Sequence, residues 1–156
     1  MLVADFTRIF PLRAKNLMWF FGAGSSATAG IATATEMLWE FKRSIYCSHE
    51  KVSIKSCGDL SDERTQYRIQ NYLKTAIANC PELWAEDEYS FFFEHAYASE
   101  SDRRAYIDSK IKSGSPSFGH EALGILLKLG LIRLMWTTNF DRVIEDVAVR
   151  VLGSTS

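Results

Sequence analysis

Two apolar runs, each ending abruptly in a short turn, constrain the fold of this chain more than any other feature. Residues 17–21 and 131–136 lack polar alternation, which is typical of parallel strands covered on both faces. The first run leads into Gly-Ala-Gly-Ser-Ser at 22–26, and the second into Thr-Thr-Asn-Phe-Asp at 137–141. An open α/β sheet places its ligand at such strand ends, so we expect both segments to form one site.

Helical patterns follow both turns and fill the chain between them. Apolar spacing predicts a short helix before Pro11, a helix packed on the sheet over 31–45, and helices on either side of the second run. Ser117 is expected to cap the helix that stops at Gly130. Between 46 and 115 the spacing predicts an aromatic-rich helical insertion, and only 51–55 alternates like a strand. We therefore predict one α/β domain over 1–156, with a Rossmann-like parallel sheet that is incomplete in this chain.

Composition excludes several classes of protein. The chain is 156 residues long and 47% hydrophobic, which supports a folded core, and its net charge of −1 gives no overall field for nucleic acid. No apolar stretch is long enough to span a membrane, and the start of the chain lacks the apolar core of a secretory signal. Its three cysteines include no C-x-x-C pair, so we expect no zinc site and a reducing, cytoplasmic location.

The first turn fits a dinucleotide-binding fingerprint. Gly22, Gly24 and Ala27 follow the spacing G-x-G-x-x-G/A, in which glycines let the backbone approach a pyrophosphate and a small third residue lets the helix pack on the strand. A tight strand-to-helix turn with no ligand is the alternative interpretation. The Asn and Asp of the second turn offer hydrogen bonds to a sugar or an amide, so the two turns together indicate a nicotinamide dinucleotide.

With both segments considered, the chain resembles the sirtuin superfamily from about residue 17 to residue 152. The glycine loop and the following Gly30-Ile31 pair match the first sirtuin motif. Further along the chain, Pro116 and His120 match the Pro-x-x-x-His start of a Leu-rich helix in the family. The segment 137–141 matches the T-Q-N-I-D strand end. Phe140 stands where the family usually has Ile.

The resemblance implies specific roles for these positions. The glycine loop would hold the pyrophosphate of NAD, Asn139 would contact the nicotinamide-side ribose and help place a water, and Asp141 would bind the nicotinamide carboxamide. From the residues alone, the alternative interpretations are that Asn139 is a helix cap and that Asp141 is a first-turn acid. The predicted NAD-binding residues are Gly22, Ala23, Gly24, Ser25, Ser26, Gly30, Thr137, Thr138, Asn139 and Asp141.

Two departures from the family pattern shape the functional hypothesis. The paired cysteines of the deacetylating sirtuins are missing, and the Gly-Ile pair is followed by Ala32-Thr33 instead of Pro-Asp. The resemblance is therefore to the zinc-less branch, many of whose members act as NAD hydrolases in bacterial anti-phage defence. The second departure is that no His follows His120, where the family places its catalytic base. His120 is either a local base near Asn139 or a site-lining residue.

These observations predict an NAD-binding domain that cleaves the nicotinamide–ribose bond to give nicotinamide and ADP-ribose. The alternatives are a non-catalytic module that binds NAD or ADP-ribose as a sensor or in assembly, and an NAD-dependent protein deacylase. With two predicted strands and no downstream His, we expect the chain to be the amino-terminal part of a longer domain, or to depend on a protein partner.

Overall fold

The two apolar runs form neighbouring strands of one parallel sheet. The computed structural model describes residues 2–153, and in it β1 (Trp19–Phe21) pairs with β2 (Met135–Thr137). Phe20 lies opposite Trp136 in this register. Strands that run in the same direction need a long crossover connection, and here the whole middle of the chain supplies it. The prediction of a small parallel sheet is confirmed.

The rest of the described chain is mostly helical, and each predicted helix is present. The eight α-helices within residues 2–153 are α1 (Val3–Arg13), α2 (Ala23–Ala27), α3 (Ala34–Glu50), α4 (Glu63–Ala76), α5 (Glu88–Ala96), α6 (Glu100–Lys112), α7 (Phe118–Lys128) and α8 (Val143–Leu152). The first helix continues past Pro11 to Arg13. The alternating stretch at 51–55 does not form a strand, and Ile54–Ser56 is a short 3₁₀ turn. None of the helices in the described part of the chain is long and apolar enough to cross a membrane.

One unit of the structure consists of the two ends of the chain, up to Ile31 and from Lys110 onward. Its core lies between one face of the sheet and the pair α7 and α8, where Leu123, Ile132 and Ile144 are buried. Gly124 allows the two helices to approach closely, because a Cβ at this position would lie 2.8 Å from Cγ1 of Val147.

The second unit comprises residues 32–109 and is helical. The helix α3 begins with a capping box, in which the Thr33 amide donates to Glu36 Oε2 at 2.6 Å and the Glu36 amide donates to Thr33 Oγ1. Its Phe41 ring stacks on Phe93 of α5, with ring centroids 4.7 Å apart, and Ile69 of α4 lies in the same core.

The helical unit overlaps most of the predicted insertion. We predicted an insertion over 46–115, whereas the helical unit spans 32–109 and includes α3. The apolar stripe of α3 was predicted to pack on the sheet, and its buried side chains pack in the core shared with α4 and α5. Aromatic side chains of α5 complete that core. The outer limits of the predicted domain, residues 1 and 156, lie outside the described residues.

Candidate functional site

The two predicted motifs begin at the same edge of the sheet. The Thr138 amide donates to the Phe21 carbonyl at 3.2 Å, which extends the strand pairing to the carboxyl end of both strands. The glycine loop and the segment 137–141 leave the sheet from this point. Their meeting at one strand edge is the arrangement that the spacing of the two apolar runs predicts.

Asn139 joins the second segment to the glycine loop. Its side-chain nitrogen Nδ2 donates to the Gly22 carbonyl and to Ser25 Oγ, each at 3.0 Å. Its own amide donates to Thr137 Oγ1 at 3.0 Å, which fixes the turn after β2. Both amide hydrogens of the side chain therefore hold the loop in place. Asn139 does more than end a strand, since its contacts join residues 114 to 117 positions apart.

Asp141 makes a second connection between the motifs, and this one is buried. Ser26 Oγ donates to Asp141 Oδ2, and the Val143 amide donates to Asp141 Oδ1 at 3.0 Å. Ser26 and Asp141 each expose only 7% of their surface. One carboxylate oxygen thus holds the start of α8, as a capping residue does, while the other holds α2.

Gly22 and Gly24 are not required by the packing or the conformation of the described chain. Gly22 has φ −122° and ψ −170°, which is extended backbone that any residue adopts. A Cβ at Gly22 would come no closer than 3.9 Å, to Thr138 Oγ1. A Cβ at Gly24 would meet nothing within 4 Å. The surface of the loop at Ala23 and Gly24 is exposed, so space for a ligand lies above it.

Gly30 has a conformational role instead. Its φ is +82°, a left-handed conformation that favours glycine, and it follows the end of α2. The amide of Ile31 returns to the Ser26 carbonyl at 3.2 Å, and Ile31 is buried with Ala29 and Val143. The Gly30-Ile31 pair therefore ends the helix and anchors its end in a small core.

A chain of polar contacts leads from Asn139 to His120. Asn139 Nδ2 donates to Ser25 Oγ, and Thr28 Oγ1 donates to the Ser25 carbonyl at 2.7 Å. Thr28 Oγ1 lies 3.2 Å from Ser117 Oγ, which lies 2.8 Å from His120 Nδ1. Sequence reasoning missed Thr28. The available signal was its position one helical turn after Ser25, directly after the end of α2.

His120 is held by the start of its own helix. It is 5% exposed, and the Ser117 amide donates to its Nδ1 at 3.1 Å. A backbone amide can only donate, so Nδ1 is the acceptor in this contact. While this contact is present, Nδ1 is not available to accept a proton. His120 is connected to the predicted site through Ser117 and Thr28.

A second buried polar cluster lies in the helical unit and was not predicted. Lys42 is 0% exposed, and its Nζ donates to Glu88 Oε1 at 2.5 Å and to Gln70 Oε1 at 2.7 Å. Burial lowers the pKa of Lys42, and the hydrogen bond that Lys42 donates to Glu88 opposes that shift. The second oxygen of Glu88 accepts from the Trp84 amide at 2.8 Å. The sequence places Lys42 off the apolar stripe of α3, and its partner lies 46 residues away, where no local pattern reveals it.

Compared with known proteins, the chain matches no family model and no curated protein sequence.

Proposed function

We propose that the unit formed by the chain ends is an NAD-binding domain of Rossmann-like type, similar to the zinc-less sirtuin-like hydrolases. The observation that carries the proposal is the pair of glycines at the carboxyl end of β1. Gly22 and Gly24 stand where neither packing nor φ calls for glycine, and at Gly24, which lies within α2, glycine costs about 0.5–1 kcal/mol relative to alanine. Close approach of a pyrophosphate to the backbone is a reason to keep them.

The contacts of the second motif support the same proposal. Asn139 and Asp141 both bind the glycine-loop region directly, so a ligand on the loop would also meet the turn after β2. In the proposed complex the backbone at 22–24 holds the pyrophosphate, and Asn139 presents its carbonyl oxygen to the ribose. Asp141 fixes the position of α2 relative to α8 and faces the nicotinamide end. Thr137 and Thr138 complete the wall of the site.

The proposed reaction is hydrolysis of the bond between nicotinamide and ribose. Water adds to the ribose carbon, nicotinamide leaves as a neutral molecule, and ADP-ribose and a proton are the other products. Positive charge builds up on the sugar as the bond breaks, so oriented oxygen atoms near the ribose stabilise the transition state. Asn139 is the residue placed to orient the ribose or the attacking water.

A second candidate function is binding of NAD or ADP-ribose without cleavage. The position of His120 favours binding without cleavage, because its Nδ1 accepts from the Ser117 amide and its ring caps the start of α7. A module of this kind would sense the nucleotide or assemble with a partner. Binding of NAD with no release of nicotinamide would support this candidate over hydrolysis.

The experiment is to measure nicotinamide release and thermal melting in parallel for the wild type, Asn139→Ala and the control Asn71→Ala. Asn71 is exposed on α4, so its variant reports the general effect of removing an asparagine side chain. We expect Asn139→Ala to lose on the order of a hundredfold in NAD cleavage, as for other transition-state hydrogen bonds. A destabilised Asn139→Ala that keeps full turnover would contradict the catalytic role.

A further inference from the structure

The two faces of the parallel sheet differ sharply in what covers them. Successive side chains of a strand point to opposite faces. Trp19, Phe21 and Met135 point to the face that packs against the core of α7 and α8. Phe20 and Trp136 point the other way, and they are 68% and 55% exposed. One face of the sheet is thus covered and the other is open.

The open face is larger than one cross-strand pair. Met18 and Leu134 lie immediately before the two strands, two positions before Phe20 and Trp136, so they continue the same row, and they are 62% and 47% exposed. The Trp19 amide donates to the Leu134 carbonyl at 3.1 Å, which shows that the strand pairing reaches this level. We call the patch formed by Met18, Phe20, Leu134 and Trp136 the outer sheet face. It contains no charged side chain.

An apolar face of this kind is unusual on a parallel sheet. Parallel sheets are normally covered on both sides, and contiguous apolar patches above a few hundred Å² mark interaction surfaces. With ~200 Å² for each fully exposed side chain of this size, the exposed fractions give the outer sheet face ~450 Å² of apolar surface.

That area fits the apolar part of one side of a protein dimer. A stable interface of standard size buries ~800 Å² on each partner, of which somewhat more than half is non-polar. The outer sheet face supplies this apolar part by itself, and two of its four side chains are aromatic, the type enriched at interface cores. The net charge of −1 adds little repulsion between two copies.

We propose that the outer sheet face is the contact surface of a homodimer, in which it packs on the same face of a second copy. A two-fold axis then brings identical patches together, so each copy contributes Phe20 and Trp136 to a shared apolar core. Two sheets packed face to face at ~10 Å bury such side chains fully. This inference does not depend on the proposed NAD site, which lies at the strand ends and not on this face.

The test is the molar mass in solution, measured by sedimentation over a range of concentrations. We expect the wild type to have twice the monomer mass and Trp136→Glu to be a monomer, with a dimer dissociation constant raised at least a hundredfold. The control is Tyr67→Glu, which changes an aromatic side chain that is 71% exposed on α4, and it should remain a dimer.

Three outcomes would overturn the proposal. A wild type that stays monomeric at about 100 µM would mean that another partner covers the face, because a standard interface gives a dissociation constant well below this. A Trp136→Glu variant that is folded and still dimeric would place the contact elsewhere. If that variant does not fold, Phe20→Ser provides the same comparison, and an unchanged dimer in folded Phe20→Ser would equally contradict the proposal.

Discussion

Replacing Gly24 by alanine should stabilise the protein and weaken its binding of NAD, so one substitution should change stability and affinity in opposite directions. Gly24 lies within α2, and the added methyl group would meet no atom within 4 Å. Alanine in a helix is favoured over glycine by about 0.5–1 kcal/mol, since it loses less conformational freedom on folding. A gain of this size raises the melting temperature by roughly 1–4 °C in a chain of this length.

The same methyl group would occupy space that a bound pyrophosphate needs. We expect the NAD dissociation constant of Gly24→Ala to rise by at least tenfold, about 1.4 kcal/mol, with a larger rise for Gly24→Val. Thermal melting and calorimetric titration of the same samples measure both effects.

Gly119→Ala is the matched control for this pair of measurements. Gly119 lies in the first turn of α7, and its added Cβ would be 3.6 Å from Ser117 Oγ, an ordinary contact. This variant should be equally stabilised and should bind NAD as the wild type does. A Gly24→Ala protein that is less stable would show that the fold itself needs the glycine. An unchanged affinity of Gly24→Ala for NAD would show that the glycine loop is not part of the binding site.

Three further predictions concern the packing and the charges. Gly124→Ala should lose about 1–3 kcal/mol of unfolding free energy in urea, because its Cβ would lie 2.8 Å from Val147 Cγ1; an unchanged midpoint would show that α7 and α8 can separate. Lys42→Met should cost about 3–5 kcal/mol by leaving Glu88 buried and unpaired, and adding Glu88→Gln should restore part of it in a double-mutant cycle. Burial raises the pKa of Tyr106, so the stabilising contribution of the neutral phenol is complete below pH ~10 and is lost at higher pH. Tyr106→Phe should therefore flatten the fall in melting temperature above pH ~10. An equal slope of melting temperature against pH in the variant and the wild type would contradict this.

The elements next to the predicted site could be read from the sequence because their signals are local. An unbroken apolar run ending at a glycine predicts β1, and the run before Thr137 predicts β2. The helix α7 follows Ser117 and ends before Gly130, whose φ is +69°, as the turn chemistry predicts. These features depend on a few neighbouring residues, and tertiary contacts do not override them.

The features that could not be predicted depend on contacts between distant residues. Periodicity shows that α3 has an apolar stripe but not which surface the stripe meets, and the aromatic side chains of α5 determine that. The position of Lys42 on the helix suggests exposure, and only its pairing with Glu88 explains its burial.

A crystal structure of the protein grown with saturating NAD tests the central claim most directly. The account predicts that pyrophosphate oxygens lie within hydrogen-bond distance, about 2.7–3.2 Å, of backbone amides at Ala23 or Gly24. It also predicts that the nicotinamide-side ribose contacts Asn139. Density for NAD at any other surface, or an empty glycine loop at a concentration where calorimetry shows binding, would contradict the account.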